Sequence, residues 1–261
     1  METTDGTLLG GRVRYAQPAR GFRTGIEPVL LAAAVPARPG ESVLEGGSGA
    51  GAGLLCLAAR VDGLSGVGVE RDPALAALLR ANAAANGFAA VLPVAGDVLA
   101  LPVRGTFAHS FANPPYHDTA GTPPEAGRDA AKRAAPGQLA AWAAALGGAL
   151  RHRGTLSLIL PPARLAEALA GCARAGCGSV RLFPLWPRAG EPARLLVLSA
   201  VRGGREALAV LPGLVLHRRP GGFTEEAEAC LRWGVGLGVR EPLPRSPPPA
   251  GEERSTALSG C

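Results

Sequence analysis

Four consecutive residues, Asn113, Pro114, Pro115 and Tyr116, combine an amide, two ring-locked backbones and an aromatic face. Each proline lacks a backbone N–H and fixes φ at about −65°. Asn113, preceding a proline, is pushed to extended backbone. The product is a stiff ledge of carbonyl acceptors. Such a ledge suits a planar exocyclic or amide nitrogen, whose delocalised lone pair makes it a poor nucleophile. The Asn113 side-chain carbonyl and the Pro114 backbone carbonyl can each accept one N–H. Held out of the ring plane, they draw the nitrogen toward tetrahedral geometry and stabilise the positive charge that builds as it attacks a methyl group. Tyr116 offers a face for a base to stack on, worth roughly 1–3 kcal/mol. Positioning supplies much of the rate, with no call for a metal, general base or covalent nucleophile.

A second cluster accompanies the first. Glu45-Gly46-Gly47-Ser48-Gly49-Ala50-Gly51-Ala52-Gly53 joins a short apolar segment to a helical one. Its glycines permit a tight turn and close backbone approach by a ligand, and the following helix start favours anionic groups. The P-loop pattern is absent. Gly47, Gly49 and Ala52 fit the dinucleotide pattern G-x-G-x-x-[GA]. Glu45, Gly47, Gly49 and Gly51 also fit [DE]-x-G-x-G-x-G, the pattern of S-adenosylmethionine sites. The acid at Glu45 favours the latter: a carboxylate suits an ammonium and a sulfonium better than a pyrophosphate. Glu70, followed by Arg71, ends the next strand and is placed to accept from ribose hydroxyls. Asp97, followed by Val98, ends the third and is placed to accept from an adenine amino group.

These groups need a scaffold that brings strand ends together. Strands are expected at Arg12–Gln17, Ser42–Glu45, Gly66–Glu70, Val91–Val94, Thr106–Ala112, Thr155–Leu160, Val180–Leu185 and Leu195–Val201. Helices are expected at Pro28–Val35, from Leu54 to Arg60, and at Pro73–Asn86, Gln138–Leu150 and Ala163–Ala175. The alternation predicts a Rossmann-like α/β fold, a seven-stranded, mostly parallel sheet with helices on both faces. In such a sheet the first and fourth strands flank the switch point, so the glycine turn and Asn113 face one crevice. Residues 1–40 form an N-terminal cap segment, 41–239 the catalytic domain, and 240–261, rich in Pro, Ser, Glu and Arg, a disordered tail.

The 261 residues suit one α/β domain with small additions. The net charge of +6 leans toward an anionic partner. That lean is discounted because only one of the basic residues, Lys132, is lysine, and abundant Arg, Ala, Gly and Pro together reflect GC-rich codons. The five cysteines contain no C-x-x-C and read as reduced thiols rather than a metal site. The N-terminus lacks a signal-peptide apolar run, and the longest apolar stretch is too short to span a bilayer, so a cytoplasmic location is expected.

EGGSGAGAG with Glu70, Asp97 and NPPY resembles the class I S-adenosylmethionine-dependent methyltransferases that modify exocyclic or amide nitrogens. More closely, GGRVRYAQPARGFRTGIEPVLLAAAVP, FANPPYHD and the segment from Pro184 to His217 resemble the bacterial tRNA1(Val) adenine-N6 methyltransferases, over roughly residues 8–235. The resemblance implies methylation of the adenine beside the anticodon of a valine tRNA. It makes Asn113, Pro114, Pro115 and Tyr116 catalytic and base-binding. It makes Glu45, Gly47, Ser48, Gly49, Gly51, Glu70, Arg71, Asp97, Val98 and Asn113 the cofactor contacts. Glu45 stands where that family more often has Asp, and Ser48 where it often has Cys. Basic clusters that can meet RNA phosphates are Arg12/Arg14/Arg20/Arg23, Arg128/Lys132/Arg133, Arg151/His152/Arg153 and His217/Arg218/Arg219. Arg128, Lys132 and Arg133 are favoured, because their segment leaves directly from NPPY. Three alternatives stand beside this reading: a glutamine N5-methyltransferase of release factors, a nicotinamide oxidoreductase using the glycine turn, and a non-catalytic RNA-binding protein.

Overall fold

The computed structural model describes residues 1–20, 23–114, 117–118, 133–134 and 137–240. The chain opens with a hairpin, β1 (Thr3–Leu8) and β2 (Val13–Pro18), and a buried helix, α1 (Glu27–Ala34). The alternating region follows: β3 (Ser42–Gly46), α2 (Ala52–Arg60), β4 (Ser65–Glu70), α3 (Pro73–Ala85), β5 (Val91–Ala95) and β6 (Phe107–Ala112). Two short strands, β7 (His117–Asp118) and β8 (Arg133–Ala134), pair with each other. Then come α4 (Gln138–Ala149), β9 (Leu150–Leu160), α5 (Leu165–Arg174), β10 (Cys177–Trp186), β11 (Leu195–Arg202), β12 (Ala209–Val210), β13 (Leu214–Val215) and α6 (Glu225–Trp233).

Among the described residues the main sheet has nine strands, ordered β12-β10-β11-β9-β6-β3-β4-β5, with β13 also on β10. Seven of them are the strands expected of the domain, and β12 and β13 are two-residue additions at one edge. β5, β4, β3, β6 and β9 are parallel, and β11 is antiparallel to both neighbours. β10, two antiparallel steps from β9, therefore runs in the same direction as β9. The central strand β6, FAHSFA, is buried at every position, as a parallel strand covered on both faces requires. Helices α1, α2, α3 and α6 pack into one core cluster, and α4 and α5 into the other.

Besides the two-residue strands, two longer elements go beyond the expected set. β1, TTDGTL, is mostly exposed and has no apolar alternation to betray it. α6 is marked in the sequence by its caps and charges. The Thr224 hydroxyl accepts from Ala227 N at 3.2 Å, Glu225, Glu226 and Glu228 fill the first turn, and left-handed Gly234 ends the helix. The tail expected from residue 240 lies outside the described residues except for Arg240, which is held to the sheet. Its Nε donates to Ser199 Oγ and its Nη2 to the Ser179 carbonyl, both at 3.0 Å.

The N-terminal hairpin is docked by two asparagines one turn apart on α3. Asn82 Oδ1 accepts from Ala16 N (2.9 Å), and Asn86 Oδ1 from Arg14 N (2.8 Å). Their Nδ2 groups donate back to the Ala16 and Arg14 carbonyls at 2.9 and 2.7 Å. Two side-chain amides thus do for β2 what a neighbouring strand would do. Asn82, only 3% exposed, also donates to the Ala50 carbonyl at 3.0 Å, so one residue ties the cap segment to the glycine turn. Asn82→Ala strands several buried backbone groups at once. A loss of about 2–4 kcal/mol is expected. That should appear as a melting temperature lower by roughly 5–10 °C in differential scanning calorimetry.

Candidate active site

The register between β3 and β6 sets the site. Gly46 pairs with Ala112, so Gly47 and Asn113 leave adjacent parallel strands at the same edge, about 5 Å apart in the sheet direction. On the other side Val69 pairs with Gly46, which puts Glu70 level with Gly47. Ala95 pairs with Glu70, and Asp97 lies two residues beyond it. Asn113, Gly47, Glu70 and Asp97 therefore rim one crevice along four consecutive strands. Pro115, Tyr116, Arg128 and Lys132 lie outside the described residues, as does the side chain of Arg133.

The glycine turn is held from below. Gly47 N and Ser48 N both donate to the Val69 carbonyl (2.8 and 3.1 Å), and Gly51 N donates to the Ser48 carbonyl at 2.8 Å. Gly47, Gly49 and Gly51 all have positive φ, the region that disfavours other residues. They face different ways. A Cβ on Gly51 would stand 2.2 Å from Leu79 Cδ1, so Gly51 is turned into the core. A Cβ on Gly47 would stand 2.7 Å from Cη2 of Trp142, whose ring lies across the turn. A Cβ on Gly49 would have no atom within 4 Å. Ser48 is buried with its hydroxyl beside Gly68 of β4, and no partner for it among the described residues. Val98 is buried too, its Cγ2 packed toward Gly46, while Arg71 and Asp97 are exposed.

The carboxylates divide into two kinds. Glu70 is half-buried: Oε2 accepts from Gly49 N and Oε1 from Asp72 N, each at 2.9 Å, and each oxygen keeps a further lone pair toward the crevice rim. Asp97 Oδ1 accepts from Leu99 N at 2.9 Å and leaves Oδ2 exposed. Glu45 is only 4% exposed and lies beneath the turn, where Oε2 accepts from Leu54 N at 3.0 Å. Glu45 thus already occupies one of the free N–H groups at the start of α2, a donor that a pyrophosphate would otherwise use. Burial pushes the Glu45 carboxyl up to about 8; the Leu54 hydrogen bond opposes this, and Glu70 adds to it.

The Asn113–Pro114 ledge begins where β6 ends. Ser110 is locked by a 3.0 Å bond from its hydroxyl to the Leu146 carbonyl, which fixes the strand against α4. Three residues later the Asn113 side-chain oxygen is buried and has no hydrogen-bond partner among the described residues. Trp142, on α4, is the crevice residue that sequence reasoning missed. An aromatic on an Ala-rich helix carries no local sign of what it faces.

Among the described residues no group of three or more His, Cys, Asp or Glu is placed to hold a metal, and no helix is long and apolar enough to cross a membrane. The strand order, with one antiparallel strand next to the last, is that of the class I S-adenosylmethionine-dependent methyltransferases. Solved structures share it. A predicted O-methyltransferase from Agrobacterium tumefaciens superposes with a TM-score of 0.69 at 24% identity, over 82% of this chain and 99% of that one. M. jannaschii TYW2, solved in complex with AdoMet, gives a TM-score of 0.54 at 13% identity, over 76% of this chain and 84% of that one. No family model matches the chain. A tRNA1(Val) (adenine(37)-N6)-methyltransferase from Actinobacillus succinogenes is 30% identical over 189 residues, 71% of this chain and 79% of the relative. The chain belongs to the tRNA1(Val) (adenine(37)-N6)-methyltransferase family.

The raised Glu45 carboxyl gives a pH signature with a definite sign. An acid whose folded-state pKa lies above its unfolded value contributes stability that is complete below the unfolded pKa and is lost as pH rises through the folded one. For Glu45 that window runs from about 4.5 to about 8. In the cofactor-free protein, wild type should lose melting temperature across this range by several degrees more than Glu45→Gln, which keeps the acceptor and removes the titration. Parallel thermal melts at pH 5 and pH 8 check this.

Proposed function

We propose that this protein transfers the methyl group of S-adenosylmethionine to N6 of an adenine beside the anticodon of a tRNA, in the cytoplasm. The observation that carries the reading is the buried Asn113 side-chain oxygen next to the glycine turn, which has no partner among the described residues. A buried acceptor left unpaired costs about 1–3 kcal/mol, a cost removed when a ligand donates to it. An adenine amino group is such a donor, and family membership supplies the adenine and the tRNA.

The crevice suits the cofactor. Gly47 and Gly49 give close backbone approach, with open space at Gly49. Glu70 keeps lone pairs for ribose hydroxyls, and Asp97 keeps an exposed oxygen for the adenine amino group. Trp142 and Val98 wall the adenosine side, and Arg71 sits at its rim. Glu45, Ser48 and Gly51 act from beneath, holding the turn in shape. When bound, S-adenosylmethionine supplies an electrophilic methyl on a positively charged sulfur. The protein's own work lies in the ledge. Asn113 Oδ1 and the Pro114 carbonyl each accept one N–H of the target amine and hold the nitrogen's lone pair toward the donor. Fixed carbonyl dipoles stabilise the charge that develops on nitrogen, with little reorganisation at the moment of reaction. Pro115 keeps the ledge stiff and Tyr116 stacks on the base. A loop adenine is unpaired, so splaying it into the crevice is cheap. Arg128, Lys132 and Arg133, which follow NPPY in the chain, contact nearby RNA phosphates.

Asn113→Ala should lower kcat by about 10²–10³-fold, the loss typical of one transition-state donor or acceptor. Cofactor affinity by calorimetry should stay within a few-fold. The substrate is tested with labelled S-adenosylmethionine offered bulk tRNA or a peptide-release factor, followed by nucleoside mass spectrometry. N6-methyladenosine in tRNA is the expected product; label in the release factor alone overturns the reading.

A further inference from the structure

A second concave surface lies outside the methyl-transfer crevice. Arg188, Ala189, Val215, His217, Arg218, Arg219 and Thr224 line a cavity of about 420 Å³. Its cations outnumber its anions. Glu191 Oε1 lies 3.6 Å from Arg188 Nη1 and 4.0 Å from Arg219 Nη2, and this one carboxylate serves both guanidiniums at long range. The Arg219 side chain is 77% exposed, and Arg218 spends only its Nε, on the Gly221 carbonyl at 3.3 Å. The floor is firm. The His217 ring stacks on Phe223 with centroids 4.8 Å apart and planes 24° apart, and Thr224 Oγ1 donates to the Val215 carbonyl at 2.7 Å.

Topology places this cavity on the catalytic edge of the sheet. Ala112 of β6 is level with Leu158 of β9, that with Leu198 of β11, and that with Leu182 of β10. β10 runs in the direction of β6 and continues to Trp186, four residues past that level. Beyond it, Leu216 N donates to the Trp186 carbonyl (2.8 Å) and His217 N to the Pro187 carbonyl (3.0 Å), carrying the pairing outward past the strand end. Four residues of rise give about 13 Å outward, and three to four strand spacings, to β10 and to β13, about 14–19 Å sideways. The cavity therefore stands roughly 20–25 Å from Asn113, on the side away from Glu70 and Asp97. That is too far to touch the cofactor and within reach of an RNA chain whose target base sits at Asn113.

We propose that Arg188, Arg218 and Arg219, set around the His217–Phe223 stack, form a docking site for RNA backbone phosphates that orients the substrate a few nucleotides from the methylated base. Guanidinium groups match phosphate oxygens in paired geometry, and one shared carboxylate leaves most of their donors available. The proposal rests on the tRNA reading above. It locates a contact surface on the β10 side of the crevice, apart from Arg128, Lys132 and Arg133.

The test compares the full-length wild type with Arg188→Gln/Arg218→Gln/Arg219→Gln and with the matching triple Lys variant, using a transcribed valine tRNA. Cofactor affinity, measured first, reports folding. The Gln variant should show a KM for tRNA raised about tenfold near 0.15 M salt, with the loss on KM rather than kcat. The slope of log affinity against log salt should flatten by about 2, at ~0.7–0.9 per phosphate contact removed. The Lys variant, which keeps the charge, should recover most of that slope. An unchanged KM and slope in a Gln variant that still binds cofactor overturns the docking site and leaves the methyltransferase reading standing. Failure of the wild type itself to bind tRNA overturns both, and shows in the wild-type arm alone.

Discussion

The parallel pairing of β3 with β6, locked at Gly46 opposite Ala112, is the constraint on which everything at the site depends. Side-chain direction in a strand alternates with every residue, so a slip of one position would turn Asn113 away from the crevice. The pairing is defended by burial. Every residue of β6 is enclosed, Ser110 is bonded to α4, and Gly46 is packed so closely by Leu146 and Val98 that a Cβ there would have to push them aside. Stiffness in the sheet is thus passed directly to the Asn113 side chain, whose oxygen is buried with no partner among the described residues. The cost of that unpaired acceptor is borne by the rest of the fold and is recovered only when a donor arrives.

Charge in the crevice is arranged by depth. Glu45 lies under the turn and satisfies the start of α2, and its own burial weakens its acidity. Glu70 and Asp97 stand at the rim with oxygens still able to accept. Glu45 takes up an N–H that a phosphate would use, while the carboxylates at the rim favour hydroxyls and amines. This separates an S-adenosylmethionine site from a dinucleotide site, although both use similar glycine spacing. The same turn is also secured sideways. Asn82 reaches from α3 to both Ala16 and Ala50, so the N-terminal hairpin and the ligand loop share one anchor.

Much of this was legible beforehand. The alternation of short apolar strands with Ala- and Leu-rich helices gave the doubly covered sheet, and the order of the motifs along the chain gave a common crevice. β1 was not legible, because a six-residue exposed strand held by one partner needs no apolar pattern. α6 is marked in the sequence by its Thr224 cap, acidic first turn and Gly234, and only its short buried stripe, Ala227 and Cys230, is decided by packing. The burial of Glu45, Ser48 and Gly51 beneath the turn follows from packing against α2, β4 and Leu79, which no spacing rule encodes.

What the sequence determined by itself is local. Proline rings stiffen the ledge after Asn113, glycines permit the positive-φ turn, and strand and helix periods fix which faces are apolar. Those effects act within a few residues and need no partner. What only the tertiary structure decided is which of these residues face one another. Trp142 lies across Gly47, Glu45 lies under α2, and the arginines near β10 stand on the same edge as Asn113, because strands far apart in the chain were brought into register by burying their common core. Register is a property of paired strands, and a single strand carries no record of it.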